Sequence, residues 1–333
     1  MHDLELLPKA HLHLHLTGGM RPATLVELAA AQGKRLPEGL LRPGGLEGVA
    51  RRGWIRFQRL YDAARDVLRG PEDVQRVIRE IALDNLAAGA GWVEVQVDPS
   101  SYAAKLGGLN GAVEVVLDGM RVASEETGVG MALVVAANRT RHPGDAETLA
   151  RVARRFAGQG VVGFGLSNDE TRGDTAAFAK AFRLARDAGL IAVPHAGEMR
   201  GAGSVRLALD HLGPARLGHG VRSVEDPAVI EELVRRRVAL EVCPASNVAL
   251  GVAPSLDAVP VQQLRDAGLE IALGADDPLV FRSGLVEQYA ALAALGPARL
   301  ADLAASSIRV SCAPGDVRAR LLAGVALWQA GSP

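Results

Sequence analysis

The chain has 333 residues, 48% hydrophobic and 23% charged, with 37 basic against 38 acidic side chains and a formal net charge of −1. That balance leaves no basic face for nucleic acid and no polybasic patch for a membrane surface. Only Cys243 and Cys312 are present, which argues against a disulfide framework and suits a reducing cytoplasm. The opening "MHDLELLPKA" lacks the basic-then-apolar layout of a signal peptide, and no uncharged apolar run is long enough to span a bilayer.

The first predicted element lies in "PKAHLHLHLTGG", residues 8–19, where His11, His13 and His15 occupy every second position. Alternate side chains of an extended strand share a face, so all three imidazoles are expected on one side. Two histidines on one strand suit one metal ion. Between Thr17 and Gly91 there is far more chain than one crossover helix needs. Within it, "RRGWIRFQRLYDAARDVL" (51–68) sets Trp54, Phe57 and Tyr61 at helical spacing. This reads as an extra helical layer that can double as a lid over a bound ligand.

Further strands are expected at 92–97, 131–137, 161–166, 191–195, 216–220, 239–244 and 270–275. They alternate with segments such as "DTAAFAKAFRLARDAG" (174–189), whose apolar residues recur at three and four as amphipathic helices require. Eight strands, counting residues 11–16, each followed by helix, predict a closed (β/α)8 barrel. Extra helices would cover its carboxyl-end mouth, and one domain would span residues 1–333.

Reactive side chains of such a barrel gather where strands end. Here the first strand supplies His13 and His15, the fifth "PHAGE" with His195 and Glu198, the sixth "GHG" with His219, and the eighth "ADDP" with Asp276 and Asp277. A lone strand histidine is usually a core or surface residue, and "DDP" is commonly a turn. The joint occurrence points instead to a hydrolytic metal site, because imidazole and carboxylate are the ligands a catalytic zinc favours. Such an ion brings the pKa of a bound water from about 16 to about 7.

The motifs "PKAHLHLHLTGGMRP", "PHAGE", "LGHGV", "EVCPASN" and "GADDPLVF" resemble, in order and spacing, those of the adenosine deaminase family of amidohydrolases. The resemblance covers residues 8–282. It implies one Zn2+ per chain and hydrolytic removal of the amino group at C6 of an adenine ring. By motif, His13, His15, His195 and Asp276 resemble the metal ligands, while His11 has no counterpart among them. None of Lys9, Lys34, Lys105 and Lys180 ends a central strand, which disfavours the two-metal branch with its bridging lysine. The resemblance implies Glu198 as proton donor to ring N1 and His219 as orienter of the water. It implies Asp276 as proton acceptor and Asp277 as partner of purine N7. Glu198 and His219 could instead only position ligands. Cys243 reads as a structural thiol. Ser246 and Asn247 could orient His219 or Asp276, or cap a turn.

The ribose end departs from the family pattern. Thr17 replaces the usual acidic residue that contacts the ribose 5′-hydroxyl, Asn168 takes the place of a glycine whose amide meets purine N3, and Gln96 stands where many relatives have arginine. Threonine is shorter and uncharged, so the expected partner is a purine nucleoside with a substituent at the 5′ side. Aminodeoxyfutalosine, a menaquinone-pathway intermediate, fits that description, with Arg139 and Arg141 as candidate anion partners. Ordinary adenosine deaminase, adenine deaminase and a catalytically silent nucleoside-binding relative are the alternatives.

Overall fold

The computed structural model describes residues 3–41 and 53–331. Eight parallel strands follow in chain order: β1 Lys9–His15, β2 Ala90–Val97, β3 Gly130–Asn138, β4 Val161–Ser167, β5 Ile191–Ala196, β6 Arg216–His219, β7 Ala239–Val242 and β8 Ile271–Leu273. Each pairs with the next. A parallel bridge between Leu14 and Asp276 joins the first strand to the turn after the last. There the His15 amide donates to the Asp276 carbonyl at 3.1 Å and the Asp276 amide to the His13 carbonyl at 3.0 Å. The predicted (β/α)8 barrel is thus the observed architecture.

The strands are nearly continuous apolar runs such as "MALVVAA" because both of their faces are covered, the inner by the barrel core and the outer by helices. Proline opens several helices, among them Pro71–Ala87, Pro143–Arg155 and Pro227–Arg236. At that position its missing N–H costs no hydrogen bond. Asp226 caps the last of these by accepting from the Ala228 amide at 3.0 Å. Among the described residues, no helix is long and apolar enough to cross a membrane.

The extra chain after β1 is largely helical among the described residues, as expected. Arg51 and Arg52, which open the aromatic segment, lie outside the described residues, but Gly53–Arg65 is a helix. Phe57 stacks on Phe281, just beyond β8, with ring centroids 5.3 Å apart and planes 10° from parallel. That contact sets the helix over the barrel mouth, where Trp54, Phe57 and Tyr61 line the central cavity.

One expectation about β1 fails. His11 pairs with Val93 and Leu14 with Val95, so three steps along β1 match two along β2. The extra residue is a β-bulge, which reverses the side-chain alternation. His13 and His15 therefore face one another inside the barrel, centroids 5.3 Å apart. His11 turns the other way, toward Asn85 of the Pro71–Ala87 helix.

Inside the barrel, Arg216 is 1% exposed and donates to Glu94 and, at 2.6 Å, to Glu241. Its remaining donor meets the Val310 carbonyl, and Glu94 also accepts from the Cys312 amide at 2.7 Å. The C-terminal segment is thereby tied to the charged interior, each ion holding a partner as burial demands. Glu241→Gln weakens this cluster on the side where Glu241 also meets His13. The expected cost is about 3 kcal/mol, by analogy with broken buried pairs, checked by urea denaturation.

Candidate active site

Strands β1, β5, β6 and the turn after β8 deliver the predicted polar residues to one cavity. The ring centroid of His13 lies 4.7 Å from that of His195 and 4.8 Å from that of His219. Asp276 Oδ1 is 3.3 Å from His15 Nε2 and 3.7 Å from His13 Nε2. Ligand-type atoms of His13, His15 and Asp276 lie within 4.8 Å of one another, as do those of His13, His195 and His219. His13 Nε2 is buried without a hydrogen-bond partner, a costly state unless something else satisfies it. His13 Nδ1 donates to Glu241 Oε2 at 2.8 Å. That bond fixes the tautomer and aims the Nε2 lone pair into the cluster. Four imidazoles beside a carboxylate make a donor set that fits a divalent ion.

Backbone strain marks the same positions. His219, Asp276 and Asn168 all have positive φ, at 62°, 61° and 79°. Non-glycine residues persist in that region only where the surroundings hold them, commonly at functional sites. Asn168 explains its own case. It occupies a left-handed position suited to glycine, and its side-chain oxygen accepts from the Asp169 amide at 2.7 Å.

Burial shapes the electrostatics. The His219 imidazole is pushed down to about 3 and that of His195 well below its ordinary value, first by burial and then by neighbouring histidines. Burial opposes ionisation of Asp276, but the hydrogen bond from His15 and the surrounding imidazoles hold its pKa low. Glu198 is 2% exposed, and its Oε1 lies 3.6 Å from His219 Nε2. Burial first, then the charge of Asp276, raises its pKa well above the usual carboxyl range, which favours the protonated form. Asp277 is raised for the same two reasons, and its Oδ1 is buried without a partner in the cavity wall.

Glu170 and Glu241 organise this centre without having been assigned a role from the sequence, and Gln96, Asn247 and Ser246, which the sequence did single out, take different places. Glu170 accepts from the amides of Gly197, Glu198 and Arg200 at 2.6, 2.9 and 2.8 Å and from the Ser204 hydroxyl at 2.6 Å. It thereby pins the turn that carries Glu198. Glu241 sits in the quoted "EVCPASN" motif, where an acidic residue on an apolar strand was the available signal. Gln96 Oε1 lies 3.2 Å from His195 Nε2. Asn247 is 3.4 Å from His219 Nδ1, whereas Ser246 bonds the Cys243 carbonyl within its own turn.

The ribose-end expectations fare differently. Thr17 is fully buried, and its hydroxyl is 2.6 Å from that of Tyr102, which lines the cavity. The space that a shorter residue opens is filled by this tyrosine, with Tyr61 beside it in the wall. Arg139 is buried away from the cavity lining, and its Nη2 donates to the His195 carbonyl. Arg141 is exposed and does not line the cavity. The cation that does line it is Arg65, held by Asp62 at 2.6 Å.

A closed parallel barrel with imidazoles and carboxylates gathered at one rim is the architecture of a metal-dependent amidohydrolase. The adenosine deaminase family model matches residues 8–328. A putative adenosine/adenine deaminase of Streptomyces virginiae is 54% identical over 334 residues, 99% of this chain and 98% of that one. The adenine deaminase of Agrobacterium fabrum is 37% identical over 286 residues, 85% of this chain and 86% of that one. Among solved structures, the adenine deaminase of Arthrobacter aurescens superimposes with a TM-score of 0.86 at 29% identity, covering 96% and 98% of the two chains. This chain therefore belongs to the adenosine deaminase family, and it is a hydrolytic deaminase of the adenosine/adenine type.

Proposed function

We propose that the protein deaminates free adenine, using one zinc ion that His13, His15, His195 and Asp276 would hold. The observation that carries the metal assignment is the buried, unpartnered His13 Nε2 aimed at Asp276 and the neighbouring imidazoles. Bound there, the ion would supply Lewis acidity and a water ionised near neutral pH. The side chains then divide the work. Glu198, protonated in its dry pocket, gives its proton to ring N1 and makes C6 electrophilic. His219, neutral and fixed beside Glu198, orients the attacking water, and Asp276 accepts its proton. Asp277, also protonated, donates to N7. Water adds at C6 and the amino nitrogen leaves as ammonia, so adenine and water give hypoxanthine and ammonia.

The preference for the free base rests on the Thr17–Tyr102 contact. A hydroxyl already engaged with a buried tyrosine is poorly placed to receive a ribose 5′-hydroxyl, and Tyr61 and Tyr102 take up space in the cavity lining. The adenine deaminases among its relatives support this reading, while the 54%-identical Streptomyces relative is named for adenosine and adenine alike. A second reading, deamination of a 5′-extended nucleoside such as aminodeoxyfutalosine in menaquinone synthesis, is favoured by the neutral Thr17 and by Arg65 in the cavity wall. The test is kcat/KM for adenine, adenosine and aminodeoxyfutalosine on zinc-loaded protein. Adenine is expected to lead adenosine by at least about 100-fold, a difference of about 2.7 kcal/mol in transition-state binding. A lead for adenosine would restore the ordinary adenosine deaminase reading, and a lead for aminodeoxyfutalosine the second one. Release of no ammonia from any of the three would overturn all of these substrate readings.

A further inference from the structure

We infer that His11, the histidine excluded from the metal cluster, is a positioning residue that holds the Asp276–Asp277 turn against β1. His11 is 1% exposed, and both of its ring nitrogens are engaged. On one side Nδ1 lies 2.7 Å from Asn85 Oδ1. The Asn85 amide is itself oriented, since its Nδ2 donates to the Ile81 carbonyl at 2.9 Å. Asn85 Oδ1 can only accept, so His11 Nδ1 carries the proton. Nε2 is then left as a lone pair, and it receives the Ala275 amide at 3.0 Å.

The place of this bond gives it its function. β8 ends at Leu273, so the Ala275 amide has left the strand ladder and needs another acceptor. A side chain at Gly274 would put its Cβ 2.6 Å from His13 Cβ and 2.9 Å from the His13 carbonyl oxygen, so the two chain segments approach closely there. Ala275 is followed by Asp276, with its left-handed backbone and its carboxylate between His13 and His15. The β1 bulge thus sends His13 and His15 into the cavity and His11 outward. From there His11 clamps the segment that brings the carboxylate to meet them. One short strand supplies two members of the cluster and the anchor for a third.

This inference rests on the metal assignment above, and the experiment separates the two. Zinc-loaded wild-type, His11→Phe, His11→Gln and Asn85→Leu proteins are mixed with excess chelator, and zinc release is timed. His13→Ala serves as control for the site itself. Phenylalanine keeps the volume but offers no acceptor, whereas glutamine can place an oxygen near the Nε2 position. His11→Phe is expected to release zinc at least about 10-fold faster, the usual scale for an outer partner of a ligand, with His11→Gln within about threefold of wild type. If His11→Phe does not fold, Asn85→Leu carries the test. It frees the His11 tautomer and is expected to speed release severalfold. Unchanged release from either of these variants, or equal acceleration in His11→Phe and His11→Gln, overturns the role of His11. Retention of zinc by His13→Ala would instead overturn the metal assignment beneath it.

Discussion

Glu198→Gln is expected to lower kcat by about 10²- to 10⁴-fold, the range associated with loss of a positioned general acid, while the protein stays folded and keeps its metal. Glutamine fills the same volume and can still donate a hydrogen bond to N1, but it has no proton to transfer. Metal content by atomic absorption is the deciding companion measurement. Parallel loss of zinc would assign Glu198 to ligand positioning instead. The pH profile adds a second reading. Because burial and the charge of Asp276 raise the Glu198 pKa, kcat/KM should fall as pH rises through that elevated value, and the variant should lose this limb. The stability effect has the same origin. Above about pH 4.5 an unfolded chain releases the Glu198 proton while the folded protein retains it. This residue therefore lowers stability with rising pH until its folded pKa is reached. Glu198→Gln should melt higher than wild type near neutrality, exchanging activity for stability.

His13→Ala is expected to abolish activity and to lower zinc affinity by more than about 100-fold, beyond the effect of an outer partner. His13 occupies the centre of the cluster, facing His15, His195, His219 and Asp276. Its replacement also strands Glu241 opposite Arg216 alone. Melting curves with and without zinc distinguish a lost ligand from a damaged fold. Wild-type protein at a thousandfold excess of zinc over its Kd should gain about 4 kcal/mol, because the ion binds only the folded state. The variant should gain almost nothing from zinc. Its zinc-free form should still unfold in one cooperative transition, at a somewhat lower temperature than zinc-free wild type, since the buried Glu241 loses a partner and the imidazole leaves a cavity. Removing zinc from wild type with a chelator and adding it back should abolish and then restore turnover.

The residues to which the proposed chemistry is assigned were legible because each stands where its type is conspicuous. Histidines in "HLHLHL", an acid after "PHAG" and paired aspartates at the end of an apolar run are unusual on buried strands. The alternation of such runs with amphipathic segments then places them at one rim. The supporting residues were less legible. Glu170, Glu241 and Tyr102 act by contacts across the fold, to the Glu198 turn, to His13 and to Thr17. Nothing in their local spacing announces those partners.

The sequence by itself determined the barrel and the chemistry of its mouth, because hydrophobic period selects strand and helix and residue type selects the available donors. Tertiary structure decided which of those donors meet. A single extra residue in β1 reversed a parity argument that holds only for a regular strand, and it sent His11 away from the site. Packing likewise filled the space beside Thr17 with Tyr102 and buried Arg139 beneath His195. The volume near one side chain depends on others 85 and 56 residues distant along the chain, and that distance closes only when the barrel forms.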